Sequence, residues 1–440
     1  MPDPVGFIHS LALKDIPEAV RRRALLCLLD LAGVAVCGRE TPVSRIVHDF
    51  AAEHQLGGRH GARMIFDGRR VSLPGAAMAG AATIDSYDAH DGHRLTKGHA
   101  GVVVLPALLA LEDEMAPSYD GAEFLTRLVL GYEIAIRAGI VLHATASDYH
   151  TSGAWNALAA AAIVSRALGS DRETTRHALG TAEFYGPRSQ MMRCIDWPTM
   201  VKDGSTYGGQ VGVSAALLAR GGFTGAPAIT AEAPEAAAYW NDLGTRWRIL
   251  EQYFKPWPIC RWAQPAVAAA QKLRAEAAGR MIESVRIRTF HAAARLDVRE
   301  PADTDAAQYA LPFPVAAMLA HGVVDGATVT TGLRDRVTLA MARRIVTETD
   351  PALDAHFPAR RIAIVEVLLA DGTRLVSAPT EARGDPEDPL SDAEIVAKAE
   401  AALVPRLGRQ RSAAIRAEID ALAVRDSART LVDLLLRPVS

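Results

Sequence analysis

Six side chains able to carry or exchange a proton crowd between residues 85 and 99: Asp85, Asp88, His90, Asp91, His93 and His99. Their neighbours are Gly, Thr and Lys rather than the salt-bridge partners of a solvated helix face, and an apolar run begins at Gly101. Asp and His held together away from bulk water acquire shifted pKa values, which general acid/base catalysis requires. The same residue types can bind a metal. However, Asp88-x-x-Asp91 and His90-x-x-His93 match neither HExxH nor a cysteine-based zinc spacing, so no metal is expected. The plain structural alternative is a loop whose aspartates cap helix ends.

Three further segments hold candidate residues. Tyr149-His150-Thr151-Ser152-Gly153 precedes an Ala-rich run, and His150 there could donate a proton beside helix amides that receive an anion. In Met200-Val-Lys-Asp-Gly-Ser-Thr-Tyr-Gly-Gly209, Lys202 precedes small residues that permit close approach, and it would suit a carboxylate. In Phe254-Lys-Pro-Trp-Pro-Ile-Cys-Arg261, two prolines stiffen the chain and could bring Lys255 and Arg261 together as a clamp for a di- or tricarboxylate. Read alone, each could equally be ordinary surface or cap chemistry. Cys260 lacks the company of a nucleophile, and no GxGxxG or GxxxxGK[ST] motif is present, so no nucleotide or other organic cofactor is expected.

These side chains need a scaffold, and 440 residues with 49% hydrophobic and 22% charged residues supply a large globular core. A net charge of −3 gives no electrostatic reason for nucleic acid or an anionic membrane as partner. Four scattered cysteines and no leader-like start point to a cytoplasmic protein without disulfides. Asp15-Ile-Pro-Glu18 reads as a helix start that runs to Gly33. Ala- and Leu-rich periodic segments near 74–85, 101–114, 122–143, 154–168, 173–184, 206–220 and 264–277 predict further helices. After Gly279 the texture alternates, predicting strands at 284–290, 362–369 and 374–378 around the turn pair Asp371-Gly372, with helices at 314–321 and 335–347. Ser391-x-x-Glu394 is a capping box opening the last helical stretch. The fold class is therefore mainly α, with an all-helical domain at 1–278 and 392–440 and a smaller α+β domain at 279–391.

The ordered recurrence of several segments resembles the MmgE/PrpD family. They are Leu29-Asp-Leu-Ala-Gly33, the Asp-rich stretch ending in His99 before Val104-Leu-Pro106, Gly131-Tyr-Glu133, His150-Thr151, Lys202, Gly221 to Gly225, Lys255 to Cys260, and Ala307 to Phe313. The resemblance implies a homodimer with the site between the helical domain and an α+β lid. It also implies a cofactor-free reaction in which a proton moves on carbon next to a carboxylate of a small polycarboxylate, followed by loss of water or carbon dioxide, or by return of the proton in an epimerase. Carried over by position, Asp88, Asp91, His99, His150 and Lys202 would be catalytic. Thr151, Lys255, Arg261, Gln264 and Phe313 would bind substrate. Gly92 stands where the family commonly has Thr or Ser, Ala100 where it has Pro, and Gln264 and Phe313 where it has His and Tyr. A metal-dependent hydrolase and a binding protein without turnover are the readings from other classes.

Overall fold

The computed structural model describes residues 3–115 and 120–439. Among them, the helices of eight or more residues are numbered here in chain order. The first eight are α1 (Glu18–Gly38), α2 (Pro42–His54), α3 (Leu73–Asp85), α4 (Gly101–Glu114), α5 (Gly121–Thr145), α6 (Gly153–Ala167), α7 (Arg172–Tyr185) and α8 (Ser205–Arg220). They are followed by α9 (Gln264–Ala277), α10 (Pro312–His321), α11 (Asp392–Asp420) and α12 (Arg429–Leu436). The strands are few: β1 (Ala62–Arg63), β2 (Arg70–Val71), β3 (Gly92–His93), β4 (Gln252–Tyr253), β5 (Ile282–Thr289), β6 (Ile345–Thr349), β7 (Ala363–Leu369) and β8 (Arg374–Val376). The chain is mainly α, and no described helix is long and apolar enough to cross a membrane.

The chain divides into two compact units, the first comprising Met1–Met191, Val201–Tyr253 and Ser391–Ser440. Its centre is α4, buried from Gly101 to Asp113, and the Ala-rich α6, buried along almost its whole length. A helix apolar on all sides belongs inside a layered bundle, and these two take that place. The α8 face carrying Gly208, Gly209 and Gly212 packs against α3 and α6, where small residues let helix axes approach closely.

The first predicted helix begins and ends differently. Pro17 is the N-cap of α1, while Asp15 closes a preceding 3₁₀ turn by accepting from the Ala12 N–H at 3.1 Å. Nor does α1 stop at Gly33, which lies mid-helix where it crosses α11: a Cβ there would sit 3.1 Å from the Ala399 Cα. That glycine serves close packing rather than termination. The capping box at Ser391 and Glu394 forms as predicted at the start of α11, which breaks at Gly408 (φ 75°).

The second unit comprises Met192–Met200 and Phe254–Leu390. Its sheet has the order β6-β5-β7-β8, with β5 parallel to β6 and antiparallel to β7. Strand β7 alternates buried and half-exposed residues, and α9 packs on it and on α10. The change of texture at Gly279 thus marks the unit's first long strand rather than its first residue. Residues 335–347, predicted as one helix, split: a helix covers Arg336–Ala342, and Ile345 onward is β6. Ile345 is buried while Val346 faces outward, the two-residue alternation of a strand that finds its partner in β5.

Candidate active site

The loop between α3 and α4 carries the Asp/His cluster, and it is held at both ends. At its entry the Ser86 hydroxyl donates to the Thr83 carbonyl at 2.8 Å and accepts from Thr41 at 2.7 Å. Farther on, the His93 N–H donates to the Gly98 carbonyl at 2.9 Å, and the Thr96 hydroxyl donates to the His93 carbonyl at 3.0 Å, closing a turn in which Lys97 adopts φ 50°. Strand pairing of β3 with β4 sets Gly92 opposite Tyr253 and His93 opposite Gln252. The result buries Asp85, Asp88, His90, Asp91, His93 and His99 together.

His90 is the centre of the cluster. Its Nε2 lies 3.6 Å from both Asp85 Oδ1 and Asp88 Oδ1, and its ring stands edge-on to His99 with centroids 4.1 Å apart. Lys202 belongs to the same group, since its ammonium acts on Asp85. Burial pushes the Asp85 carboxyl up to about 7, opposed by Lys202 and reinforced by Asp88. Lys202 is itself buried and holds φ 46°, a left-handed conformation that a non-glycine residue adopts at a cost of about 1–3 kcal/mol. Gly204, at φ 71°, completes this turn and caps α8.

Three loops meet at His99. Its backbone N–H donates to Ser152 Oγ at 3.0 Å, and Ser152 in turn donates to Asp203. The Asp203 N–H donates to Asp85 Oδ2 at 3.3 Å, which returns the network to the end of α3. Asn156 Nδ2 bridges the His99 carbonyl at 3.2 Å and Ser205 Oγ at 3.1 Å. On the ring, His99 Nδ1 lies 2.5 Å from the Asp91 carbonyl oxygen. A carbonyl can only accept, so Nδ1 carries the proton and neutral His99 presents a basic lone pair at Nε2.

Asp91 was expected to offer its carboxylate to the site. Instead its side chain turns onto the core, accepting from the Tyr132 phenol and from Cys27, while only its main-chain oxygen reaches His99. Burial raises the Asp91 carboxyl to about 7, against the lowering by Tyr132. His93 also faces away: its Nδ1 accepts from the Leu95 N–H at 3.3 Å, and its Nε2 donates to Glu251 at 3.2 Å. Burial lowers the pKa of His93, whereas His93 helps to lower that of Glu251 to about 2. A neutral imidazole N–H donating to an ionised Glu251, itself paired with Arg246 and Arg248, satisfies both directions.

The remaining candidates separate. Thr151 lies beside Gly204 and donates to the Pro187 carbonyl at 3.3 Å. His150 lines a cleft of about 440 Å³ with Thr145, Asp148, Glu183, Arg188 and Thr230, and Asp88, His90, His99 and Lys202 are not among that cleft's lining residues. Burial, then Arg188, lowers the His150 pKa, so the imidazole is neutral at pH 7. In the second unit Lys255 and Phe313 are buried. Arg261 donates to Gln264 Oε1 at 2.8 Å, to the carbonyls of Ala382 at 2.9 Å and Arg383 at 3.0 Å, and to Asp385 at 2.6 Å. Gln264 donates to the Trp257 and Ile259 carbonyls at 3.1 Å. These bonds tie the Pro-rich segment to residues 382–385.

Asp203, Ser152, Asn156 and Tyr132 were not singled out by spacing, although Ser152 and Asp203 lie inside the two segments chosen for His150 and Lys202. Asp88, His90 and His99 also offer three ligand atoms within 4.8 Å of one another. Such a grouping could hold a metal ion. The cluster brings acids, imidazoles and an ammonium together, residue types that can exchange protons.

Residues 5–239 match the MmgE/PrpD N-terminal domain, and residues 257–423 match the MmgE/PrpD C-terminal domain. No curated protein matches the chain.

Proposed function

This chain belongs to the MmgE/PrpD family, and from that membership we propose that it is a cofactor-free lyase acting on a small polycarboxylate. The observation that carries the reading is the buried grouping of Lys202 with Asp85, Asp88, His90 and His99. His99 Nε2 takes a proton from the carbon next to a substrate carboxylate, and the C–H electron pair moves into that carboxylate as an enediolate. The Lys202 ammonium neutralises the charge that develops there. In a dehydration the pair then returns and expels the β-hydroxyl, which leaves as water with a proton from His90. In a decarboxylation no C–H proton is removed first: the C–C bond to a carboxylate breaks, carbon dioxide departs, the pair it leaves is delocalised toward the neighbouring carboxylate, and a histidine that enters protonated delivers its proton to that carbanion.

An epimerase is the second reading, because inversion needs the same abstraction followed by reprotonation from the opposite face. Proton NMR of the purified protein with citrate-like, aconitate-like and amino-dicarboxylate compounds in heavy water separates the two. A new unsaturated or decarboxylated product supports the lyase, and deuterium in recovered substrate without a new product supports the epimerase. His99→Gln and Lys202→Met are each expected to lower kcat/KM by about 10²- to 10⁴-fold with unchanged circular dichroism. Wild-type turnover in both variants would remove the cluster from the reaction, and loss of turnover on chelation would redirect it to metal chemistry.

The proposal includes a cytoplasmic homodimer. Phe184, Tyr185, Tyr207 and Leu218 are exposed on the neighbouring helices α7 and α8, and such a patch favours a partner. Light scattering of Tyr207→Asp should then report monomer.

A further inference from the structure

Behind the Asp/His loop, two long-range contacts grip it from α11 and α5, one on its backbone and one on the Asp91 side chain. Lys398, on α11, donates to the Ala89 carbonyl at 2.6 Å and pairs with the buried Asp30 of α1 at 2.8 Å. Tyr132, on α5, donates to the Asp91 carboxylate. These two anchors bracket His90 and fix the peptide whose oxygen faces His99 Nδ1 at 2.5 Å. Space around the second anchor is fully used: a Cβ on Gly101 would lie 2.3 Å from Tyr132 Oη and 3.0 Å from Asp91 Oδ1. The loop at Asp91 therefore has no room to shift toward α4.

We infer that Tyr132 and Lys398 are positioning residues, which hold the Ala89–Asp91 backbone so that the Asp91 carbonyl locks His99 in the Nδ1–H tautomer and leaves Nε2 as the unprotonated, basic nitrogen. The inference rests on the role proposed for His99 above. Three features of the surroundings serve it. The carbonyl offers no proton, so only one neutral tautomer satisfies the contact. Burial keeps the Tyr132 phenol protonated far above neutral pH, so it remains a donor whatever the charge on Asp91. Lys398 is paired with Asp30, which offsets the cost of bringing its ammonium against a backbone oxygen. Partners that orient a reactive imidazole from behind are known physics in metal sites, where their removal costs about 10- to 100-fold. Here the oriented group is a base instead of a ligand.

The test reads the tautomer directly. Protein carrying ¹⁵N-labelled histidine is examined by long-range ¹H–¹⁵N NMR without substrate, with His99 assigned from the signal missing in His99→Gln. Wild type is expected to show a protonated Nδ1 and an unprotonated Nε2 in a single neutral form. Tyr132→Phe and Lys398→Met are expected to mix the two tautomers and to lower kcat about 10- to 100-fold, with KM changed less than about twofold. The acid limb of the kcat profile should move in both. Lys398→Arg can still donate to Ala89 and pair with Asp30, and should keep the wild-type spectrum and rate. A proton on Nε2 of wild-type His99, or variant spectra and pH profiles identical to wild type, overturns the inference. Both variants are checked for a wild-type melting transition, and the wild-type spectrum decides the tautomer even if one fails to fold. Absence of turnover on every polycarboxylate, with the tautomer as stated, would instead refute the proposed function alone.

Discussion

Replacing Gly92 by alanine tests how tightly the cluster is packed. A Cβ at this position would lie 2.4 Å from Tyr253 Oη, 2.6 Å from its Cζ and 2.7 Å from His99 Nδ1. Ordinary carbon contacts lie near 3.5 Å, so each atom must retreat by roughly 1 Å. Tyr253 cannot swing into solvent, because it is buried and its strand is paired with β3 at this residue. His99 cannot retreat freely either. Moving Nδ1 by about 1 Å from its 2.5 Å contact with Asp91 takes that bond to the limit of hydrogen bonding. Overpacking costs about 1–3 kcal/mol and a lost buried hydrogen bond about 1–3 kcal/mol, so Gly92→Ala should lose about 2–6 kcal/mol. Urea unfolding should show a lower midpoint with an unchanged slope. Turnover should fall about 10²-fold or more, since an error of about 1 Å in a catalytic group has that effect. Adding Tyr253→Phe removes the 2.4 Å contact but not the ring carbon, and should restore only part of the stability. A Gly92→Ala protein with wild-type midpoint and wild-type kcat would refute this account.

Three other outcomes follow from the ionised groups. Asp113, whose side chain is fully buried, accepts from Arg63 at 2.6 Å and lies within 3.4 Å of Arg70 and Arg429; Asp113→Asn should cost about 2–4 kcal/mol, below the full buried-pair range because the arginines are partly exposed, and a denaturation midpoint unchanged from wild type would contradict it. Burial tends to raise Glu251, but His93 and Arg246 bring it down to about 2 from an ordinary 4.5; its stabilisation is complete above pH 4.5 and disappears as pH falls toward 2, so Glu251→Gln should flatten the acid arm of the stability curve measured by thermal melting. Asp85 has the opposite sign: its pKa, raised to about 7 by burial, means that the folded chain keeps a proton the unfolded chain has released above an ordinary 3.8. Asp85 thus opposes folding increasingly as pH rises from 4 to 7, and Asp85→Asn should lose less stability over that interval than wild type.

Much of the helical framework is legible in the sequence because its signals are local. The segments near 74–85, 101–114 and 264–277 form helices within a residue of where Gly, Pro and Asp punctuate the apolar pattern. Failures occur where a distant element decides. Gly33 reads as a stop until the close crossing with Ala399 is known, and residues 345–347 continue a helical pattern until β5 claims them as a strand. The site divides in the same way. Residue types marked Asp88, Asp91, His99, His150 and Lys202 as candidates; Asp88, His99 and Lys202 group with His90, whereas His150 lines a separate cleft. The direction in which each side chain points was not legible: Asp91 turns inward to Tyr132, and Arg261 engages Asp385. Lys398 carried no local sign at all, because its value lies in a contact 309 residues away.

The helical unit is closed by its own C-terminal segment, with α11 laid along α1 and Lys398 reaching the Ala89 peptide. Vectorial synthesis therefore delivers the last structural piece of the reactive loop only after the intervening α+β unit has left the ribosome. Until then the side of α1 that meets α11 has no cover, although α3, α4 and α5 already pack on its other sides. A stalled or nicked product that lacks α11 would lose both that cover and the Lys398 contact with the Ala89 peptide.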